Sequence, residues 1–203
     1  MKHGLRLVVL ASVLALVGGA GSANDASAGV LTCMDGSEKV FAQWGDNSQY
    51  TLAPNGSFEA GSTGWSLSGA RVIPQNNTLR SGRYSLSLPS GSSATSPTAC
   101  VKLADPASRF FLRNTGASDG RLRVDVTYKS LLGLFTMSST LGYVQANGSW
   151  QPSPKYDHAL QNLVATLALN SDLSAQLRFR FTPVGRGASF EIDDLYVDPL
   201  LTV

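Results

Sequence analysis

Histidine and cysteine are nearly missing from this 203-residue chain, which has two of each. His3 stands in the N-terminal leader, so His158 alone is left for general acid–base work, and no serine is framed as a nucleophile elbow. A Ser-His-Asp hydrolase therefore has no basis here. Two cysteines without a histidine cluster do not make a zinc site. Charge is also scarce: 15% of residues are charged and the formal net charge is +2, so the whole molecule has no electrostatic drive toward nucleic acid or anionic lipid. Long apolar runs are absent except for "LVVLASVLALVGGA" (Leu7 to Ala20), which is shorter than the ~20 residues that cross a bilayer.

That run follows Lys2 and Arg6 and precedes "ASAGV", an A-x-A cleavage pattern ending at Ala28. Residues 1–28 read as a signal peptide, and residues 29–203 as one secreted domain, extracellular or in the cell envelope, with no membrane span after cleavage. The mature part keeps 14 basic and 13 acidic residues. Both cysteines lie in it, and in an oxidising compartment Cys33 and Cys100 are expected to pair, closing a loop of about 67 residues.

What is present is alternation. In "RLRVDVTYK" Leu122, Val124, Val126 and Tyr128 fall on one face, and Arg121, Arg123, Asp125, Thr127 and Lys129 on the other. "QLRFRFTP" repeats the device, with Leu177, Phe179 and Phe181 opposed to Arg178 and Arg180. With "YSLSL" and "FFLRN" as further strands, and Gly, Ser, Asn and Pro between them, the chain reads as all-β and antiparallel. One stretch differs. "DHALQNLVATLALN" spaces Leu160, Leu163, Val164 and Leu167 at helical intervals behind Asp157, predicting a short helix near 158–169 that covers an end of the fold and starts at a surface-exposed His158.

Three stretches, "NGSFEAGSTGWSLSGA" (Asn55 to Ala70), "SGRYSLSLPSGSSATSPTACV" (Ser81 to Val101) and "FEIDDLYVDP" (Phe190 to Pro199), resemble in order and spacing the secreted carbohydrate-binding modules of families four, nine and twenty-two. "GSWQ" (Gly148 to Gln151) fits the same pattern. The resemblance implies a galactose-binding-like jelly-roll β-sandwich. It also implies one structural Ca²⁺ between the first and last strands, with Glu59 and an aspartate of the Asp193-Asp194 pair at the matching positions.

The residues themselves offer a second account of that pair. Strict alternation through "FEIDDLYV" sets a carboxylate beside apolar neighbours on either face, whereas a bulge at Asp193-Asp194 returns Leu195 and Val197 to the face of Phe190 and Ile192. The carboxylates are then held either by calcium or by backbone N–H groups. Two-carboxylate glycoside hydrolysis could formally recruit Glu59, Glu191, Asp193 and Asp194, but the resemblance assigns these acids to the sandwich edge. The chain is expected not to be an enzyme.

Sugar sites set aromatic faces against pyranose rings and bond the hydroxyls with polar side chains. Trp65 and Trp150 sit where the resemblance implies packing. Trp44, Tyr50, Tyr143 and Tyr156 are the aromatics open to ligand use, of which Trp44, Tyr143 and Tyr156 are taken as candidates. Arg121, Arg123, Arg178 and Arg180 form a basic stripe if their strands are neighbours, with Arg109 and Arg113 as possible additions, and such a stripe would suit an acidic glycan. The expected function is non-catalytic binding of an extracellular or cell-wall glycan. The alternative is a structural or adhesive envelope protein with no sugar site.

Overall fold

The structure, a computed structural model, describes residues 37–102, 107–130, 135–166 and 174–198. The leader, Cys33 and Leu167 lie outside these residues.

Thirteen strands occur in them: β1 (Thr51–Leu52), β2 (Ser66–Ser68), β3 (Arg71–Ile73), β4 (Ser85–Leu88), β5 (Ser93–Thr95), β6 (Ala99–Lys102), β7 (Ala107–Asn114), β8 (Arg121–Ser130), β9 (Phe135–Val144), β10 (Gln151–Pro152), β11 (Tyr156–Asp157), β12 (Ser174–Val184) and β13 (Phe190–Val197). They form two antiparallel sheets. The first runs β10-β7-β13-β4-β3, with β1 on β13 and β11 on β7; the second runs β2-β5-β12-β8-β9, with β6 on β12.

The alternating strands behave as their period requires. Leu122, Val126, Leu177, Phe179 and Phe181 are fully buried between the sheets, joined from the first sheet by Leu86, Leu88, Phe110, Leu112, Phe190 and Ile192. Each such side chain contributes roughly 1.5–3 kcal/mol by leaving water. Trp65 and Trp150 are both buried, as packing residues should be. Trp65 lies against Phe58 with ring centroids 4.7 Å apart and donates Nε1–H to the Asn55 carbonyl at 2.9 Å. Asn147 forms a turn, its Oδ1 accepting the Ser149 N–H at 2.8 Å.

A second aromatic cluster covers the outer side of the first sheet. Val40, Phe41 and Tyr50, from the segment before β1, pack on Phe111, Trp150 and Tyr196. Arg109 fastens this segment: its guanidinium lies over the Phe41 ring at 4.3 Å and donates to Asp46 at 2.9 Å. The outer face of the first sheet is thus occupied by the chain itself. On the second sheet the outward residues are mostly polar and reach solvent, with apolar Val184 and the covered Asp125 as exceptions.

The predicted helix is present as α1 (Ala159–Thr166), with Asp157 Oδ1 accepting the Ala159 N–H at 2.8 Å. It packs on β8 and β12, but not with its apolar stripe. His158, Asn162 and Ala165 are buried, whereas Leu160, Leu163 and Val164 are exposed. His158 is therefore not a surface residue: it is fully buried, bonded through Nδ1 to Asn162 Oδ1 at 3.1 Å and packed beside Phe179, and burial lowers its pKa. Asn162 supplies the polar partner that a buried imidazole requires, and this pairing outweighs the spacing of the leucines.

Candidate functional site

The open outer face of the second sheet is built by register. Across five strands β2, β5, β12, β8 and β9, Ser66 pairs with Thr95, Thr95 with Arg180, Arg180 with Asp125, and Asp125 with Thr140. Side chains of directly paired residues share a face, so this row spans about 19 Å of polar surface at the usual strand spacing. Neighbouring rows set Arg178 beside Thr127 and Ser138, and Thr182 beside Arg123 and Tyr143. Arg121, Lys129 and Arg180 are exposed; Arg123 and Arg178 are half-buried.

Asp125 sits at the centre of this face. It is 6% exposed, and its carboxylate accepts Arg123 Nε–H at 3.0 Å and the Thr140 hydroxyl at 2.6 Å. The partly buried pair orders Arg123 on the sheet. Arg178 is held in turn by an Nε–H bond to the Ser96 carbonyl at 3.0 Å, and Arg180 donates to Ser93 Oγ at 3.2 Å. Beside them a cleft of about 320 Å³ is lined by Thr98, Thr127, Tyr128, Lys129, Thr136, Gln176 and Arg178.

Tyr143 joins this face because β9 is irregular. The β8–β9 register shifts between Val124 and Asp125, leaving Leu141 as the extra residue. Without that bulge, alternation from Thr140 would turn Tyr143 inward; with it, Tyr143 stands opposite Arg123 and is 52% exposed. Gly142 is the residue turned inward, where a Cβ would lie 3.2 Å from the Tyr156 ring.

The sequence-derived ligand residues are therefore divided by the fold. Arg121, Arg123, Arg178, Arg180 and Tyr143 are brought together. Tyr156 is not with them: it is 5% exposed and stacks on Phe110 at 5.9 Å inside the sandwich, because β11 directs it to the core. Trp44 is on the other side of the molecule, against Phe111 of the first sheet at 5.6 Å. Arg109 and Arg113 are also in the first sheet, where Arg113 pairs with Glu191 at 2.7 Å. Sequence reasoning set Asp125 and Thr127 on the outward face without giving them a ligand role, and it missed Thr140 and Gln176 as members of that face. Their alternation with core residues was the available signal, but strand order was needed to group them.

The carboxylates of β13 form a separate constellation. The bulge expected there is present: the β13–β7 register is irregular between Asp193 and Tyr196, and Asp194 has φ = 47°. Leu195 and Val197 consequently join Phe190 and Ile192 in the core, while Tyr196 packs outward. Asp193 Oδ2 accepts the Asn77 backbone N–H at 3.1 Å and its Nδ2–H at 3.0 Å; Oδ1 accepts the Asp194 N–H at 2.8 Å. The Asn77 amide also donates to Asp194 Oδ2 at 2.9 Å.

Both aspartates are at most 5% exposed. Burial, followed by the neighbouring Asp194 charge, pushes the Asp193 carboxyl up to about 7. Burial also raises Asp194, with Glu38 and Glu59 adding repulsion. Glu59 itself is held low by N–H bonds from Arg83 at 2.6 Å and Tyr84 at 3.1 Å. A Cβ on Gly82 would press on Asn76 Oδ1 and lie 3.1 Å from Glu59 Oε1, so this glycine leaves an oxygen-lined cradle. Among the described residues no three Asp, Glu, His or Cys side chains gather as a metal cluster.

Comparison with known proteins places the fold. No protein-family model matches the chain, and no curated protein does. Solved structures do. The tandem of two family 22 carbohydrate-binding modules from Paenibacillus barcinonensis Xyn10C superposes with a TM-score of 0.50 at 14% identity, over 74% of this chain and 44% of that one. The family 11 module from Clostridium thermocellum, in complex with a β-1,3-1,4-mixed-linked tetrasaccharide, is similar at 10% identity and a TM-score of 0.49, covering 76% of this chain and 98% of that one. The family 61 module TmCBM61, in complex with β-1,4-galactotriose, has 18% identity and a TM-score of 0.43, over 72% and 97%. The fold is a β-sandwich of the carbohydrate-binding-module type.

Proposed function

We propose that this is a secreted, non-catalytic protein that binds an extracellular or cell-wall glycan on the outer face of its second sheet. The observation that carries this reading is the row Ser66, Thr95, Arg180, Asp125 and Thr140, five strands wide and open to solvent beside a cleft. Hydroxyls, guanidinium groups and a carboxylate bond sugar hydroxyls, and Tyr143 offers an aromatic face at one edge. The structural neighbours support it, since modules of this fold are solved with oligosaccharides bound. No helix among the described residues is long and apolar enough to cross a membrane. A pull-down of the purified protein on insoluble polysaccharides tests the reading; retention on none of them overturns it.

A second reading rests on the inverted helix. Leu160 is 67% exposed, and Phe135 and Met137 of the edge strand β9 are also exposed. Solvent-facing apolar side chains of this kind suit protein association, as in an adhesive or structural envelope protein.

Calcium belongs to the same proposal as a structural element. The oxygen chemistry fits: two buried carboxylates, Glu59, and Asn76 Oδ1 at the Gly82 cradle are hard donors of the type calcium takes. Asp193 is occupied by Asn77 and the Asp194 N–H, so Glu59 and Asp194 are the carboxylates that would hold the ion. When bound, it supplies the positive charge that offsets buried repulsion. The Cys33–Cys100 disulfide is likewise proposed: Cys100 is in β6, and Cys33 is outside the described residues.

A further inference from the structure

We infer that the glycan taken by the outer face of the second sheet is acidic, carrying carboxylate or sulfate groups. This rests on the glycan-binding reading and specifies the ligand class at the same face.

Charge on the face is the first ground. The outward positions of β8 and β12 bring together Arg121, Arg123, Lys129, Arg178 and Arg180, against Asp125 as the acid among them. The whole chain has a formal net charge of only +2, so these strands concentrate cations that the rest of the molecule balances. Asp125 offsets Arg123, which leaves a balance of four positive charges on two adjacent strands, and a polyanion neutralises that balance while a neutral glycan does not.

The second ground is how the cations are held. Arg123 and Arg178 are anchored through Nε, to Asp125 and to the Ser96 carbonyl. A guanidinium fixed in this way keeps its plane, which suits bidentate bonding of a planar carboxylate or a sulfate. Arg178 and Lys129 also line the cleft with Gln176, Thr127 and Thr136, so a charged substituent there meets two cations while the sugar hydroxyls meet amide and hydroxyl groups.

The third ground is the scarcity of stacking surface. Tyr143 is the exposed aromatic on this face; Phe179 and Phe181 are buried in the core, and Tyr128, half-buried and packed against that core, reaches only the wall of the cleft. Neutral polysaccharides depend on ring stacking for affinity, and one tyrosine at a sheet edge provides little of it. Ion pairing is the stronger device present.

The test is affinity electrophoresis of the full protein in gels containing polygalacturonate, dextran sulfate, neutral xylan or inorganic polyphosphate, at 20 and 300 mM NaCl. Retardation by polygalacturonate or dextran sulfate at least tenfold stronger than by xylan, weakened by salt, is expected, and whichever of the two retards more identifies the anion as carboxylate or sulfate. Arg178→Gln and Arg180→Gln should each reduce that retardation at least fivefold; Lys129→Gln, at an exposed position, gives the same readout where an arginine variant does not fold. Retardation by xylan equal to that by the acidic polymers overturns the acidic assignment and leaves the glycan reading standing. Equal retardation by polyphosphate overturns it as well, since the sugar then has no part. Absence of retardation by every glycan overturns both.

Discussion

Asn77 and Asp193, 116 residues apart, are joined by two hydrogen bonds to one carboxylate oxygen, from the Asn77 backbone N–H at 3.1 Å and the side-chain amide at 3.0 Å. The same amide reaches Asp194 at 2.9 Å. One asparagine thus ties the loop after β3 to the bulge of the last strand and satisfies two buried acids.

Removing that donor should be costly. Asn77→Ala leaves buried carboxylates short of bonds worth about 1.5–3 kcal/mol each, so a loss of roughly 3 kcal/mol or more is expected in urea unfolding. A loss under about 1 kcal/mol would mean that water or an ion replaces the amide.

The aspartate pair should also set the neutral limb of a pH–stability profile. Asp193 titrates near 3.8 when unperturbed and near 7 in the fold, so between those values the folded state binds more protons. Its contribution is fully present below about pH 4, declines as pH rises, and is lost above about pH 7. Asp46 has the opposite sign. Burial raises it, but bonds from Tyr50, Ser48 and Arg109 outweigh that and hold it low, so its contribution is present above pH 4 and falls in acid. His158, whose pKa burial lowers, also loses its contribution as pH falls below its ordinary 6.5 and so opposes Asp193, and Asp193→Asn should flatten the decline of Tm toward pH 8 relative to the unsubstituted protein. An unchanged decline in that variant would assign it to another group.

Calcium should act on the same limb. Added Ca²⁺ should raise Tm at pH 8 more than at pH 5, by the free energy of binding the folded state, and EDTA should reverse the rise. Glu59→Gln should abolish it. A Tm indifferent to both calcium and EDTA removes the ion from the proposal.

The tryptophans should separate by role. Trp65→Ala, which empties a buried site against Phe58, is expected to cost about 3–5 kcal/mol, whereas Trp44→Ala, at a site 36% exposed, should cost clearly less. Tyr143→Ala should leave Tm within a degree or so and weaken glycan binding about threefold, or ~0.7 kcal/mol, less than the loss of either arginine. Glycan binding unaffected by that change would take Tyr143 off the site.

Much of this was legible in the residues. Period-two alternation placed Leu122, Val126, Leu177, Phe179 and Phe181 in a core, and set Arg121, Arg123, Arg178 and Arg180 outward, because a strand offers a side chain only two faces. The conflict in "FEIDDLYV" predicted a bulge because only an extra residue returns Leu195 and Val197 to the apolar side. The helix boundary was readable from Asp157, but its buried face was not, since the pairing of His158 with Asn162 depends on the strands beneath.

The order of the strands was decided by tertiary structure alone. Sequence determined that two basic strands exist; only the β12–β8 pairing put Arg180 beside Asp125 and made the stripe one surface. It also could not show that the segment before β1 would cover the first sheet and leave the second one open, nor that Leu141 would bulge and turn Tyr143 to solvent. Local pattern fixes which way a side chain points relative to its own strand. Which strands become neighbours, and which sheet face stays uncovered, depends on contacts between residues far apart in the chain, and no local period encodes those.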